Sequence, residues 1–161
     1  MRQKKFLRKW KRRSRDKLTS STISVKVNRK TILIEWGDCD PAGIVYFPRY
    51  LAFFDNCTSA LFSSVGLPKY ETLKRYGIVG IPLVDVRASF AIPSRFGDEV
   101  VVESSIEKWG RSSFHVHHRL MKDDALAVEG FETRVWAARA ADDPEKIKGQ
   151  PVPQEVIDRF S

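Results

Sequence analysis

The sequence has few cysteines and no long apolar run, and these absences exclude several classes of protein. Cys39 and Cys57 are its only cysteines; they form no CxxC pair and suggest no disulfide framework. We therefore expect a protein of the reducing cytoplasm. No stretch approaches the roughly 20 apolar residues that a membrane-spanning helix needs. The GxSxG, P-loop and GxGxxG patterns are missing too, so serine hydrolases, nucleoside-triphosphate enzymes and dinucleotide enzymes have no support.

Positive charge is concentrated at the N-terminus. Residues 1–18 hold ten of the 28 Lys and Arg against one acid, Asp16, which leaves 18 basic and 19 acidic side chains elsewhere. Such a block predicts a solvated, disordered tail, taken as residues 1–22, before a single domain over 23–161. Attachment to nucleic acid or an anionic membrane through this tail, a transit peptide, and a wrongly chosen start codon remain alternatives.

The order of elements predicts an α+β fold. TILIEW (31–36) is typical of a strand, and apolar residues at helical spacing predict a helix over 48–65, with a shorter one over 69–76. Alternation then predicts strands over 84–90, 99–109, 114–121 and 125–138. Their short connections require antiparallel pairing. We expect about five antiparallel strands against one long helix, with an uncovered sheet face and edge that predict a second copy.

The segment WGDCDPAGIVYFPRY (36–50) carries the densest chemistry. Asp38 and Asp40 precede a predicted helix start, where free N–H groups carry positive partial charge. Such donors polarise a carbonyl, and a nearby carboxylate attacks it or activates water, as acyl hydrolysis requires. Alternatively, the two carboxylates only cap the helix or its entry turn. Cys39 is a poor nucleophile because flanking negative charge disfavours the thiolate.

GDCDPAGIVYFPRY (37–50) resembles the signature of the 4-hydroxybenzoyl-CoA thioesterase family. Further stretches resemble the same family: YGIVGIPLV (76–84), ASFAIPSRFGDEVVVESSI (88–106) and KWGRSSFHVHHRL (108–120). The resemblance covers about residues 31–160. It implies the hot-dog fold, an antiparallel sheet wrapped around a long helix. It also implies dimers, often paired into tetramers, with active sites at subunit boundaries. The substrate would be an acyl-CoA, and no cofactor is implied.

The resemblance assigns roles along the first motif. Asp40 matches the catalytic carboxylate, which serves as nucleophile or general base. The backbone N–H of Phe47 would polarise the thioester carbonyl. Gly43 and Pro48 would shape the entry to the helix, and Asp38 would orient the turn.

The resemblance also points to the substrate's acyl end. Asp55 matches a carboxylate that accepts a hydrogen bond from the ring hydroxyl in hydroxybenzoyl-specific members, where an unhydroxylated ring would leave that charge unpaired. Alternatively, Asp55 belongs to the polar stripe of its helix. Ile81 stands where those members carry threonine, which implies a drier or differently shaped pocket.

The turn WGRSS (109–113) corresponds to a basic cluster that meets the CoA phosphates in those members. Arg111 alone remains there, either as a phosphate contact or as solvated surface. Lys108, Arg119 and Arg134 are alternative phosphate contacts.

Three histidines close together on one predicted strand also suggest a metal site, but their spacing argues against one. His115 and His117 share a face, His118 lies on the other, and no acidic or cysteine partner has ligand spacing. The predicted helix over 48–65 has neither His nor Glu, which argues against a hot-dog dehydratase.

We expect hydrolysis of an aromatic acyl-CoA, 4-hydroxybenzoyl-CoA in particular, to the free acid and CoA. The alternatives are another aromatic or short-chain acyl-CoA, and a non-catalytic hot-dog protein that binds acyl-CoA or, through its tail, nucleic acid.

Overall fold

The computed structural model describes residues 25–161, so the predicted tail over 1–22 and the domain start at 23 lie outside the described residues. The strands are β1 (Val27–Leu33), β2 (Leu83–Phe90), β3 (Glu99–Trp109), β4 (Ser113–Lys122), β5 (Ala125–Val135), β6 (Ala137–Arg139) and β7 (Ile147–Gly149). The helices are α1 (Phe47–Ser64), α2 (Lys69–Tyr76) and α3 (Gln154–Asp158), with a short 3-10 helix over Trp36–Asp38. No helix in the described part is long and apolar enough to cross a membrane.

Five strands form one antiparallel sheet in the order β1-β3-β4-β5-β2. The predicted α+β fold, a five-stranded antiparallel sheet against one long helix, is confirmed. Helix α1 begins and ends within one residue of its predicted bounds, with Pro48 in the first turn. Helix α2 matches its predicted range and ends at Gly77, whose φ of 62° suits glycine.

The predicted first strand over 31–36 is wrong in its bounds. Val27 to Lys30 already pair with β3, and one face of β1 is exposed, so its polar residues are tolerated. The ladder ends at Leu33, and the chain enters the 3-10 helix at Trp36. The predicted strand over 125–138 is divided at Trp136, whose buried ring and N–H bond to the Ser112 carbonyl redirect the chain into β6.

Helix α1 packs against the concave face of the sheet. Its buried side chains recur every three or four residues and comprise Tyr50, Phe54, Cys57, Thr58, Leu61 and Phe62. The closest approach is at Gly130 of β5, where an added Cβ would lie 2.3 Å from the Phe54 ring. Phe54 in turn stacks on His118 of β4, with ring centroids 4.7 Å apart. Glycine is therefore required where the helix meets the middle of the sheet.

The opposite face of the sheet carries paired polar groups rather than an apolar surface. Arg29 and Arg119 both bind Glu103, and His117 lies 2.8 Å from Glu129. Exposed large apolar side chains lie at both edges of the sheet, with Val27 and Leu33 on β1 and Leu83, Val84 and Phe90 on β2, and also in the loops, on Trp36 and Phe96.

Candidate active site

Backbone hydrogen bonds within the loop between β1 and α1 fold it, and two distant residues also hold it: the Val45 N–H donates to the Ser94 carbonyl at 2.9 Å, and Arg95 Nη1 donates to the Gly43 carbonyl at 3.3 Å. Asp40 N–H donates to the Ile44 carbonyl at 2.9 Å, and Gly43 N–H donates to the Asp40 carbonyl at 2.9 Å. The φ of Gly43 is +74°, a left-handed conformation that favours glycine. The loop therefore folds back on itself, with Ile44 beside Asp40 and three residues before the helix.

Asp38 ties this loop to the helix. Its buried carboxylate accepts from the Glu35 N–H at 2.9 Å and from Arg49 Nε at 2.7 Å. Its carbonyl accepts from the Tyr46 N–H at 2.8 Å, directly before the first residue of α1. Asp38 thus holds the entry turn and has no carboxylate oxygen left for a substrate.

Asp40 faces a small cavity instead. One carboxylate oxygen accepts from the Ala42 N–H at 2.8 Å in an Asx turn, and the residue is only half-buried. The cavity, ≈ 280 Å³, is lined by Trp36, Cys39, Asp40, Pro41, Gly43 and Phe96. The exposed rings of Trp36 and Phe96 meet edge to face at its side. Asp40 is thus an accessible carboxylate beside an aromatic wall.

The Phe47 N–H at the start of α1 has no hydrogen-bond partner in the described part of the chain. Phe47 is the first helical residue, Pro48 has no N–H, and the Arg49 N–H already donates to the Tyr46 carbonyl at 2.8 Å. The Phe47 N–H therefore remains open, at the end where the helix carries positive partial charge. Phe47 does not line the Asp40 cavity, but the segment that carries Asp40 leads directly into this helix start. A carboxylate and a polarising donor are what attack on a carbonyl requires.

A larger cavity lies elsewhere in the same chain. It measures ≈ 410 Å³ and is mostly apolar, with walls that include Phe62, Leu67, Leu73, Ile78, Ile81 and Trp136. Its polar lining residues are Asp55, Ser59, Lys69, Thr72 and Arg134, and Asp40 does not line it. The predicted acyl-end residues Asp55 and Ile81 therefore share a cavity, but a single chain does not bring them together with Asp40.

Asp55 is paired with a buried arginine. Arg134 Nη2 donates to Asp55 Oδ1 at 2.7 Å and to Glu132 Oε1 at 3.0 Å. The Asp55 side chain remains 62% exposed, whereas that of Arg134 is 6% exposed. The alternative in which Arg134 contacts a CoA phosphate is wrong, because its guanidinium is buried between two carboxylates.

Glu132 anchors this arginine from inside the protein. Its Oε2 accepts from Arg134 Nε at 2.8 Å and from Thr58 Oγ1 at 2.7 Å, and His118 Nε2 lies 3.4 Å away. Ser104 Oγ in turn lies 2.8 Å from His118 Nδ1. These residues form a buried cluster between α1 and the sheet.

These contacts determine whether Glu132 and Arg134 are charged. Burial acts to raise the pKa of Glu132, but hydrogen bonds from His118 and Arg134 outweigh it and hold that pKa at about 2. Burial likewise acts to lower the pKa of Arg134, and the bonds to Glu132 and Asp55 raise it. Both groups are therefore charged at neutral pH.

Two further arginines that the sequence suggested as phosphate contacts, Arg111 and Arg119, line neither cavity. Arg111 is exposed in the turn between β3 and β4, and its carbonyl accepts from the Val152 N–H. Arg119 pairs with Glu103 on the outer sheet face.

The described residues contain no group of His, Cys, Asp and Glu arranged to hold a metal ion. Burial raises the pKa of the Cys57 thiol to about 11, whereas Cys39 lines the Asp40 cavity.

Sequence reasoning missed the part played by Glu132, Thr58 and Thr72. A signal for Glu132 was present, because alternation through β5 places Gly130, Glu132 and Arg134 on the inner face. Two charged residues on a core-facing strand indicate a buried pair. Thr58 and Thr72 carried no such signal, since threonine is common on helices of any exposure.

Known proteins resemble the chain over most of its length. A family model described as the thioesterase-like superfamily matches residues 34–160. The 4-hydroxybenzoyl-CoA thioesterase of Pseudomonas sp. (strain CBS-3) is 37% identical over 134 residues, covering 80% of this chain and 93% of that protein. A crystal structure of a 4-hydroxybenzoyl CoA thioesterase mutant complexed with 4-hydroxybenzoyl CoA superposes with a TM-score of 0.78 at 32% identity, covering 84% of this chain and 99% of that one.

A further relative is the 1,4-dihydroxy-2-naphthoyl-CoA hydrolase of Synechococcus elongatus (strain ATCC 33912 / PCC 7942 / FACHB-805). It is 30% identical over 88 residues, which cover 55% of this chain and 65% of that protein.

Proposed function

The chain belongs to the thioesterase-like superfamily, and on that premise we propose that it is an acyl-CoA thioesterase that hydrolyses 4-hydroxybenzoyl-CoA to 4-hydroxybenzoate and CoA. The observation that carries the proposal is an accessible carboxylate, Asp40, in the short segment that leads to the unpartnered N–H of Phe47 at the start of α1. The similarity to a thioesterase of that name supports the choice of acyl group.

In the proposed reaction, the thioester carbonyl lies between Asp40 and the start of α1. Asp40 either attacks the carbonyl carbon or takes a proton from the attacking water. The Phe47 N–H donates to the oxygen on which negative charge develops. Collapse of the tetrahedral species expels the CoA thiolate, and water supplies the oxygen of the free acid.

The acyl group is proposed to occupy the larger cavity, with the ring hydroxyl donating to Asp55. Because Asp40 lines a different cavity of the same chain, we propose that a complete site combines two copies in a dimer, or in a tetramer built from dimers. The exposed apolar edge of β2 supports such an association.

Two further residues are proposed to contact the substrate. Ile81 lines the larger cavity and adds to its apolar wall. Arg111 is exposed and is proposed to meet a phosphate of CoA at the mouth of the site. Action in the cytoplasm is likewise a proposal, supported by the two unpaired cysteines.

One observation favours a second candidate acyl group. The 1,4-dihydroxy-2-naphthoyl-CoA hydrolase of Synechococcus elongatus is 30% identical to this chain over the matched residues, and this similarity supports a dihydroxyaryl-CoA as the alternative substrate.

The test is thiol release from 4-hydroxybenzoyl-CoA, a dihydroxybenzoyl-CoA, benzoyl-CoA and a short aliphatic acyl-CoA, measured side by side. We expect the hydroxylated esters to be preferred, with the highest kcat/KM for 4-hydroxybenzoyl-CoA. Preference for the dihydroxylated ring would select the second candidate. Preference for the unhydroxylated or aliphatic ester would exclude both acyl groups. No turnover of any ester would contradict the thioesterase proposal itself.

A further inference from the structure

The polar end of the larger cavity holds a hydrogen-bond donor, Arg134, next to an acceptor, Asp55. Arg134 uses Nε and Nη2 on Glu132 and Asp55, and one N–H of Nη1 on the Ile81 carbonyl at 3.2 Å. The second N–H of Nη1 has no partner among the described residues. Asp55 uses Oδ1 on Arg134 and keeps Oδ2 available. Both residues line the cavity.

A ligand group that satisfies this pair must both donate and accept. Resting on the proposed function, we propose that Arg134 is a second specificity-determining residue. The phenol O–H of the substrate donates to Asp55, and the phenol oxygen accepts from the free Nη1 N–H of Arg134. The two side chains together select a neutral hydroxyl rather than any hydrogen-bond donor.

The buried cluster keeps Arg134 in position for this contact. Two bonds from its guanidinium go to Glu132, which is itself held by Thr58. The guanidinium cannot turn aside without leaving the Glu132 carboxylate unpaired in the core. Leaving a charged donor unpaired when a substrate fills the cavity is costly, so an unmatched substituent is rejected rather than ignored.

The charges at the polar end of the larger cavity further restrict the substituent that the acyl ring can carry. Asp55 and Glu132 place two carboxylates around one guanidinium. A ring bearing a carboxylate at the same position would add a third negative charge beside them and is disfavoured there, although Lys69 lines the same cavity.

Two nearly isosteric substrates, compared in the native protein and in a variant without Arg134, separate this proposal from recognition by Asp55 alone. The hydroxyl of 4-hydroxybenzoyl-CoA donates and accepts, whereas the amine of 4-aminobenzoyl-CoA donates but accepts poorly, because its lone pair is delocalised into the ring. The measurement is kcat/KM for both esters. Each value is divided by the rate constant of the same ester with hydroxylamine at pH 7, where the phenol is not ionised, which removes the difference in intrinsic reactivity.

We expect the normalised value for the hydroxyl ester to exceed that for the amine by at least about tenfold, the loss of one hydrogen bond to a charged group. In Glu132→Gln/Arg134→Met, which removes the buried charges as a pair to preserve folding, the ratio should fall several-fold from the native value. An unchanged ratio would leave the selection to Asp55 alone and overturn the role of Arg134. In the control Asp55→Asn, both esters should slow together and the ratio should persist, because both donate to residue 55.

Equal normalised values in the native protein would overturn the role of Arg134 while leaving the thioesterase intact, and this comparison needs no variant to fold. No turnover of either ester would instead contradict the proposed function, and this inference with it.

Discussion

The two ends of the proposed site are built in opposite ways. The Asp40 loop is held mostly by backbone hydrogen bonds between residues close in sequence, and Asp40 itself is accessible. The Asp55–Arg134 end is held by side chains far apart in sequence, and the Arg134 guanidinium is buried beside Glu132 while Asp55 stays exposed. The chemistry therefore depends mainly on local structure, and the selectivity depends on a cluster that the whole domain must support.

The sharpest test of the local end is Asp40→Asn. An asparagine oxygen can keep the Ala42 N–H bond, so the loop should hold its shape while the carboxylate is lost. We expect kcat for thiol release to fall by about 10²–10⁴-fold with little change in thermal stability. A near-native kcat would show that Asp40 takes no part in the mechanism. A large fall in melting temperature alongside the fall in kcat would show that the role of Asp40 is structural.

Glu132→Ala tests the distant end. It leaves Arg134 buried without its main partner, so the free energy of unfolding should fall by about 3–5 kcal/mol in urea titrations. The matched control is Arg29→Ala, which breaks an exposed pair with Glu103 and should cost about 1 kcal/mol or less. Similar losses in the two variants would show that the buried cluster contributes no more than a surface pair.

Acid should weaken the buried end selectively. The pKa of Glu132 is lowered from 4.5 to about 2 in the folded protein, so its stabilising contribution is complete above about pH 4.5 and is lost as the pH falls towards 2. Urea midpoints between pH 5 and pH 2.5 should fall more steeply for the native protein than for Glu132→Gln. Parallel pH profiles would place the acid sensitivity elsewhere.

The smallest effect is expected at Arg111→Ala, outside both ends. Because a phosphate contact is made equally in the ground and transition states, KM for the CoA ester should rise several-fold at unchanged kcat. Lys74→Ala, which removes an exposed positive charge on α2, is the control and should leave KM unchanged. A native KM in Arg111→Ala would show that Arg111 makes no phosphate contact and is only part of the solvated surface.

The sequence predicted the local end better than the distant one. Pro48, Gly43 and the spacing of apolar residues determine the loop and α1 within one continuous segment, so both could be inferred from residue order. The partner of Asp55 could not, because Arg134 lies 79 residues away and meets it only once β5 packs beside α1. The bounds of β1 were missed for a related reason: its polar residues are set by pairing with β3, not by their own propensity.

The contrast between the two cysteines gives each chain a built-in reporter. A thiol reagent attacks the thiolate, and the pKa of about 11 at Cys57 leaves that side chain almost entirely protonated at neutral pH. Cys39 lies in the wall of the Asp40 cavity. The rate at which a reagent labels the folded protein therefore follows Cys39, and slower labelling as a non-hydrolysable thioether analogue of the CoA ester is added measures occupancy of the reactive end without any turnover.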